Sequence, residues 1–315
     1  MRRRVARMTR AWGSGGADDV SRQVPGALRP IMEHKQEEVR EAKLRRPLGE
    51  VRAEAEAAPG ARNFFRALTQ REEGDEGVRV IAEVKRKSPS AGWIRNEYKP
   101  GLGEGEGETV GSANDAFDPA GIATQYERAG AAAISCLTDR RFFGGELGYI
   151  ERIKGAVELP VLRKDFILEP WQVYESRAAG ADAVLLIGEC LRESELIDLM
   201  ILAHELRMTV LLEFHDPENY FRVRPHIGFP DRTHTLLGIN NRDLSTMTTD
   251  LGHTLRMTTF IEDTSVLVSE SGISTPADLE RLRGVGVRIV LVGESLMKAA
   301  APGEALKALL RGPTG

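Results

Sequence analysis

The chain of 315 residues carries 43 Lys and Arg against 47 Asp and Glu, a formal net charge of −4. No basic stripe is interleaved with aromatics, so the electrostatic footprint of a nucleic-acid binder is missing. With 41% hydrophobic residues it can build a soluble core, and its longest apolar runs are far too short to span a bilayer, which leaves a small molecule as the expected partner.

Residues 1–25 open with Arg2, Arg3, Arg4, Arg7 and Arg10 and no acid until Asp18. That composition fits an organellar transit peptide or a disordered basic tail equally well, and without an apolar core it is no secretory signal. The expected compartment is therefore the cytoplasm or a plastid stroma. Cys136 and Cys190, in or just after apolar runs and without CxxC spacing, read as small buried hydrophobes of a reducing compartment.

Helical periodicity follows over 27–43, with Leu28, Ile31, Met32 and Val39 on one narrow apolar face, then over 47–58 and 63–68. From there short apolar runs alternate with helical segments such as 170–179, 193–206 and 276–282. Strands are expected near 79–84, 132–137, 160–164, 182–187, 209–214, 235–240, 265–269 and 288–292. Repeated right-handed βαβ crossovers of this number build a (β/α)8 TIM barrel, here a single domain over 26–315 with an N-terminal helical extension. One gap is too long for a crossover. Residues 96–116 contain Gly101, Gly103, Gly105 and Gly107 separated by Leu102, Glu104 and Glu106, and read as a flexible insertion, since the glutamates would repel an anion.

Charge gathers at the carboxyl ends of the runs, the rim where barrels of this class carry their active sites. Side chains alternate along a strand, so Glu83 and Lys85 share one side, Lys164 shares its side with Leu162, Glu213 with Leu211, and Asn240 with Gly238. Any one Glu-x-Lys pair could be a rim salt bridge. Two lysines, two glutamates and an asparagine from four strands are better read as a catalytic set, because flanking carboxylates hold a lysine charged and ready to act as an acid.

The last two units carry Ser269-Glu270-Ser271-Gly272-Ile273 and Val292-Gly293-Glu294-Ser295-Leu296, each turning into a helix. Either glycine alone could serve only a tight bend. Together, with backbone N–H groups presented at two turns, they point to a phosphorylated substrate. The six histidines show no paired ligand spacing and no metal is expected; His215 reads as a rim residue bonded to its neighbours.

These segments resemble a known family. Ile81-Ala82-Glu83-Val84-Lys85 with Ser88-Pro89-Ser90-Ala91-Gly92, Phe117-Asp118-Pro119, Pro160 to Phe166, Gly238 to Leu244, Ser269 to Ile273 and Leu291 to Met297 are similar, in order and spacing, to indole-3-glycerol phosphate synthase of tryptophan biosynthesis. The resemblance implies ring closure of 1-(2-carboxyphenylamino)-1-deoxyribulose 5-phosphate with loss of carbon dioxide and water, needing no cofactor. It makes Lys164 the general acid, Glu213 the stabiliser of developing positive charge, and Glu83 with Lys85 the dehydration pair, with Asn240 completing the catalytic set. Ser88, Phe166, Arg242 and Glu270 would hold the substrate, and Ser271, Gly272, Gly293 and Glu294 its phosphate, Glu294 through its backbone amide.

Association with other enzymes of the pathway is a further expectation from the resemblance. Two features depart from the family's pattern: the insertion at 96–116 and the Arg-rich start. Phosphoribosylanthranilate isomerase has similar phosphate turns but would need a cysteine and an aspartate where this chain offers Glu83 and Lys85. A catalytically silent barrel retained as an assembly subunit is disfavoured by the complete set of catalytic residue types.

Overall fold

The computed structural model describes Gly26 and residues 28–99, 117–228, 231–243 and 246–311. Three helices lead into the sheet: α1 (Arg29–Arg45), α2 (Leu48–Ala57) and α3 (Phe64–Thr69). The barrel strands are β1 (Arg79–Val84), β2 (Ala133–Leu137), β3 (Val161–Lys164), β4 (Ala183–Ile187), β5 (Thr209–Phe214), β6 (Thr235–Asn240), β7 (Leu267–Glu270) and β8 (Ile289–Val292). Each pairs in parallel with its sequence neighbours, and β1 closes the cylinder by pairing with both β2 and β8. Among the described residues no helix is long and apolar enough to cross a membrane.

The period-two pattern sorts the strand residues into two apolar layers. Ile81, Leu162, Leu211, Leu236, Val268 and Ile289 join one buried cluster inside the barrel, whereas Val80, Ala82, Ile134, Val184, Leu212 and Val290 belong to a second, between the sheet and the helices. One step further along three of these inner rows the residues turn polar: Glu83 follows Ile81, Lys164 follows Leu162, Glu213 follows Leu211. A full inner layer of charge in mid-barrel would be too costly to desolvate, so it is confined to the open end.

The extension caps both ends of this interior. Leu28, Ile31 and Met32 at the start of α1, and Phe64 and Leu68 of α3, join the inner cluster. At the amino-terminal end of the strands the Phe65 N–H donates to Thr209 Oγ1 and the Arg62 N–H to Asp182 Oδ1, which places α3 beneath the barrel. At the other end Lys35 of α1, wholly buried, lies 3.0 Å from Asp139 Oδ2 in the loop after β2 and 3.0 Å from Asp165 Oδ1 after β3.

Most strand bounds fall within one residue of expectation, and two departures bear on the site. The seventh strand starts two residues later than the expected 265–269, because Thr264–Val266 forms a 3-10 turn, and ends one residue later, which carries Glu270 into the strand. Within 96–116, Asn96–Tyr98 is a 3-10 turn whose Tyr98 is buried and packs edge-on at 5.2 Å against Phe117. The expected solvated insertion is thus anchored at its start. Its remainder, 100–116, and the tail of residues 1–25 lie outside the described residues.

Candidate active site

The carboxyl ends of the strands open into a cavity of about 490 Å³. At its floor Lys164 Nζ lies 3.0 Å from Glu213 Oε2 and 3.4 Å from Glu270 Oε2. Burial works to lower the lysine's pKa, but Glu213, Glu270 and Glu83 outweigh it and hold the ammonium above its ordinary range. Both carboxyls are buried and they respond differently. Burial pushes each up; Lys164 and the Asn240 amide then draw Glu213 below the usual value, while Glu270, repelled by ionised Glu213, stays far above it. The floor therefore holds a charged lysine between two carboxyls whose affinities for a proton are driven apart, Glu270 binding it the more tightly, and Glu270 Oε1 has no hydrogen-bond partner.

Asn240 is oriented from both sides. Its Oδ1 accepts from the Arg242 N–H and from Ser271 Oγ, each at 3.0 Å, which turns its Nδ2 toward Glu213 Oε1 at 3.1 Å. Glu83 on β1 takes Lys85 Nζ at 2.6 Å and Ser135 Oγ at 3.5 Å, so the Glu83–Lys85 pair forms a second charged centre on the same floor. Glycine makes room for two of these acids. A Cβ at Gly293 would stand 2.3 Å from Glu83 Oε1, and one at Gly238 would stand 2.4 Å from Glu270 Oε1. Gly293 is thus required for packing against Glu83, a demand separate from the anion approach expected of it.

Toward the last two strands the lining changes to turns and cations. Ser271 and Gly272 both have left-handed backbones, φ 68° and 78°. The buried Asn241 holds that turn from β6, donating to Ser269 Oγ at 2.9 Å and to the Ser271 carbonyl at 3.1 Å. Gly293 N-caps the short helix Glu294–Met297, and the Glu294 carboxylate is occupied by Arg242 at 3.1 Å and Lys298 at 2.7 Å. Burial raises the Glu294 pKa, but those two cations carry it below the usual value. Arg242 also reaches Ser90 on the ribbon formed by Lys87–Ser88 and Gly92–Trp93, tying the loop after β1 to the far rim.

The cavity brings together Glu83, Lys85, Ser88, Lys164, Phe166, Glu213, Asn240, Arg242, Glu270, Ser271, Gly272, Gly293 and Glu294, every site residue read from the sequence. Two of them also make contacts that the sequence did not suggest. Glu270, expected to hold substrate, stands in the charge cluster with Lys164. Ser88 Oγ accepts the Ala91 N–H at 3.2 Å, so it also builds its own turn. Residues not foreseen are Lys298 beside the glycine turns and Leu28, Ile31 and Phe143 along the apolar wall. The pattern at Leu28 and Ile31 signalled a buried face but not which surface it covers.

His215 sits on the rim as expected: its Nδ1 is 2.8 Å from the Asn240 carbonyl, its N–H donates to Glu189 at 2.7 Å, and its ring stacks on His253. The Glu189 carboxyl is pushed up to about 7 by burial, which the hydrogen bond from His215 only partly offsets.

The family model for indole-3-glycerol phosphate synthase matches residues 28–102 and 108–309, so most of the expected insertion falls inside the family's length. The indole-3-glycerol phosphate synthase of Rhodopirellula baltica is 44% identical over 264 residues, covering 84% of this chain and 91% of that protein. That of Aromatoleum aromaticum is 42% identical over 282 residues, 90% of this chain and 98% of the other. In fold the chain is similar to 3-hexulose-6-phosphate synthase from Salmonella typhimurium, with a TM-score of 0.53 and 13% identity over 74% of this chain and 97% of that one. The match over nearly the whole barrel, its charged floor included, makes this chain a member of the indole-3-glycerol phosphate synthase family.

Proposed function

We propose that the cavity closes the indole ring of 1-(2-carboxyphenylamino)-1-deoxyribulose 5-phosphate, releasing carbon dioxide and water to give indole-3-glycerol phosphate. The observation that carries this reading is one cavity with two chemistries: a charged Lys164 between Glu213 and Glu270 on its floor, and glycine turns with Arg242 and Lys298 at its far side. A phosphate held by the turns would present the sugar ketone to the lysine. The anthranilate ring would lie along Leu28, Ile31, Phe143 and Phe166.

As the ring carbon attacks the ketone, Lys164 donates its proton to the carbonyl oxygen. Its high resting pKa keeps that proton in place until a second cation forms. The cation is the iminium-like intermediate, and Glu213 stabilises it, which loosens the carboxylate's hold on Lys164 at the moment the proton leaves. Loss of carbon dioxide neutralises the iminium, and the Glu83–Lys85 pair then assists departure of the hydroxyl as water. Glu270, held neutral, supplies a hydrogen-bond donor to a substrate hydroxyl. The bacterial relatives favour the cytoplasm over a plastid.

Incubating the protein with the deoxyribulose phosphate in the presence of EDTA should produce indole fluorescence. No product, or product only after a metal is restored, would sink the reading. Glu213→Gln keeps the shape and removes the charge, so kcat should fall about a hundredfold or more with KM little changed; a change confined to KM would remove Glu213 from the transition state. Inorganic phosphate should inhibit competitively. In Gly272→Ala the new Cβ would meet the Thr249 methyl at 2.8 Å on a left-handed backbone, so the turn must shift and the phosphate inhibition constant should rise about tenfold. An unchanged constant would place the anion elsewhere.

A further inference from the structure

Far from the cavity, at the amino-terminal end of the strands, the fold brings together two imidazoles and a carboxylate that are distant in sequence. His204 lies in the last turn of the helix Glu193–Glu205, and His234 is the residue before β6, its carbonyl accepting the Val210 N–H of β5 at 2.8 Å. Asp231 stands in the turn between, where its Oδ1 takes the Thr233 N–H at 2.8 Å. Its Oδ2 faces His234 Nδ1 at 3.7 Å. One ligand atom from each of the three lies within 4.8 Å of the others, and the two rings meet edge-on with centroids 4.6 Å apart.

Three further facts distinguish this cluster from a chance surface grouping. His204 Nδ1 is buried with no hydrogen-bond partner, an acceptor or donor left unsatisfied in the fold. His204 and His234 line a cavity of about 580 Å³ beneath the barrel, with Asn63, Glu205, Arg207 and Thr209, so space for an ion and its waters adjoins the ligands. His234 is fixed through its backbone to a strand and His204 stands at a helix end, so both imidazoles are held by regular elements.

We propose that His204, Asp231 and His234 form a binding site for a divalent transition-metal ion. Two imidazoles and one carboxylate are the donor set that zinc accepts at three positions, leaving water in the fourth. Ligand atoms around tetrahedral zinc stand ~3.3 Å apart, so rotation of the side chains by about an ångström closes the set. Hard magnesium, which prefers oxygen ligands, is excluded by the two nitrogens. The site lies on the face of the barrel that carries stability rather than catalysis, and its occupancy ties the loop before β6 to the helix before β5.

Zinc chloride titrated calorimetrically into the EDTA-treated, dialysed full chain should show saturable binding in the micromolar range. Saturating zinc should raise Tm by about 2–4 °C, whereas magnesium should not. In His204→Gln, and separately in Asp231→Asn, whose carboxylate is part-exposed and whose loss leaves the fold intact, zinc affinity should fall at least tenfold and the Tm rise should vanish. Indole-forming turnover should be the same with zinc and with EDTA. Absence of saturable binding, binding of equal strength in both variants, or an equal Tm rise with magnesium would each overturn the site.

Discussion

Lys164→Met should fold yet lose about a thousandfold in kcat, measured as indole formation at saturating substrate. Methionine matches the lysine stem, so the inner row above Leu162 remains filled. What disappears is the only ammonium within reach of both Glu213 and Glu270 among the described residues. Without it nothing offsets the cost of burying the Glu213 charge, so its affinity for a proton rises toward that of Glu270. The substitution thus removes the proton donor and also neutralises the group that stabilises the cation, which is why the loss should exceed that of Glu213→Gln. Breaking a buried pair usually costs about 3–5 kcal/mol; here proton uptake limits the damage to stability. A kcat within threefold of the parent would exclude Lys164 as the acid.

The second large effect is expected in stability. Lys35→Met should cost about 3–5 kcal/mol and lower Tm by roughly 10 °C in calorimetry, because it leaves Asp139 and Asp165 buried beside each other's loops without their shared cation. For Asp165 burial alone would raise the pKa, yet Lys35 and Arg163 bring it down to about 2. That is below the value of about 3.9 in an unfolded chain. A depressed folded pKa contributes stability that is fully present above about pH 4 and is lost as pH falls through about 2. The parent should therefore lose stability on the acid side over that window, and Lys35→Met should show a shallower acid limb. Because α1 carries Leu28 and Ile31 over the cavity, the variant's KM should also rise. A melting temperature within a degree of the parent would mean that the helix is held by its apolar face alone.

Eight strands were legible because alternating apolar positions bounded by charge have few alternatives in a parallel barrel. The floor was legible for the same reason: parity from Ile81, Leu162, Leu211 and Gly238 places Glu83, Lys164, Glu213 and Asn240 on one inner face. Glu270 escaped that logic. Its strand was expected to end at Ser269, and a one-residue extension moved it from the turn into the row above Val268. Short apolar runs mark where a strand is but leave its ends open, since the ends depend on partners: Glu270 is in register with Leu291 of β8 and Asn240 of β6.

From the chain alone, then, came the barrel, the inward rows and the identity of the charged groups, all of them consequences of local periodicity and of the cost of burying charge. Tertiary structure decided which buried carboxyl holds a proton more tightly, because the contest between Glu213 and Glu270 depends on distances to Lys164 that no spacing encodes. It also decided that Gly238 and Gly293 are there to admit carboxylates, that Lys35 clamps the extension across the mouth, and that His204, Asp231 and His234 converge beneath the barrel. Each of these joins residues on different strands and loops, and only closure of the sheet sets the distances between them.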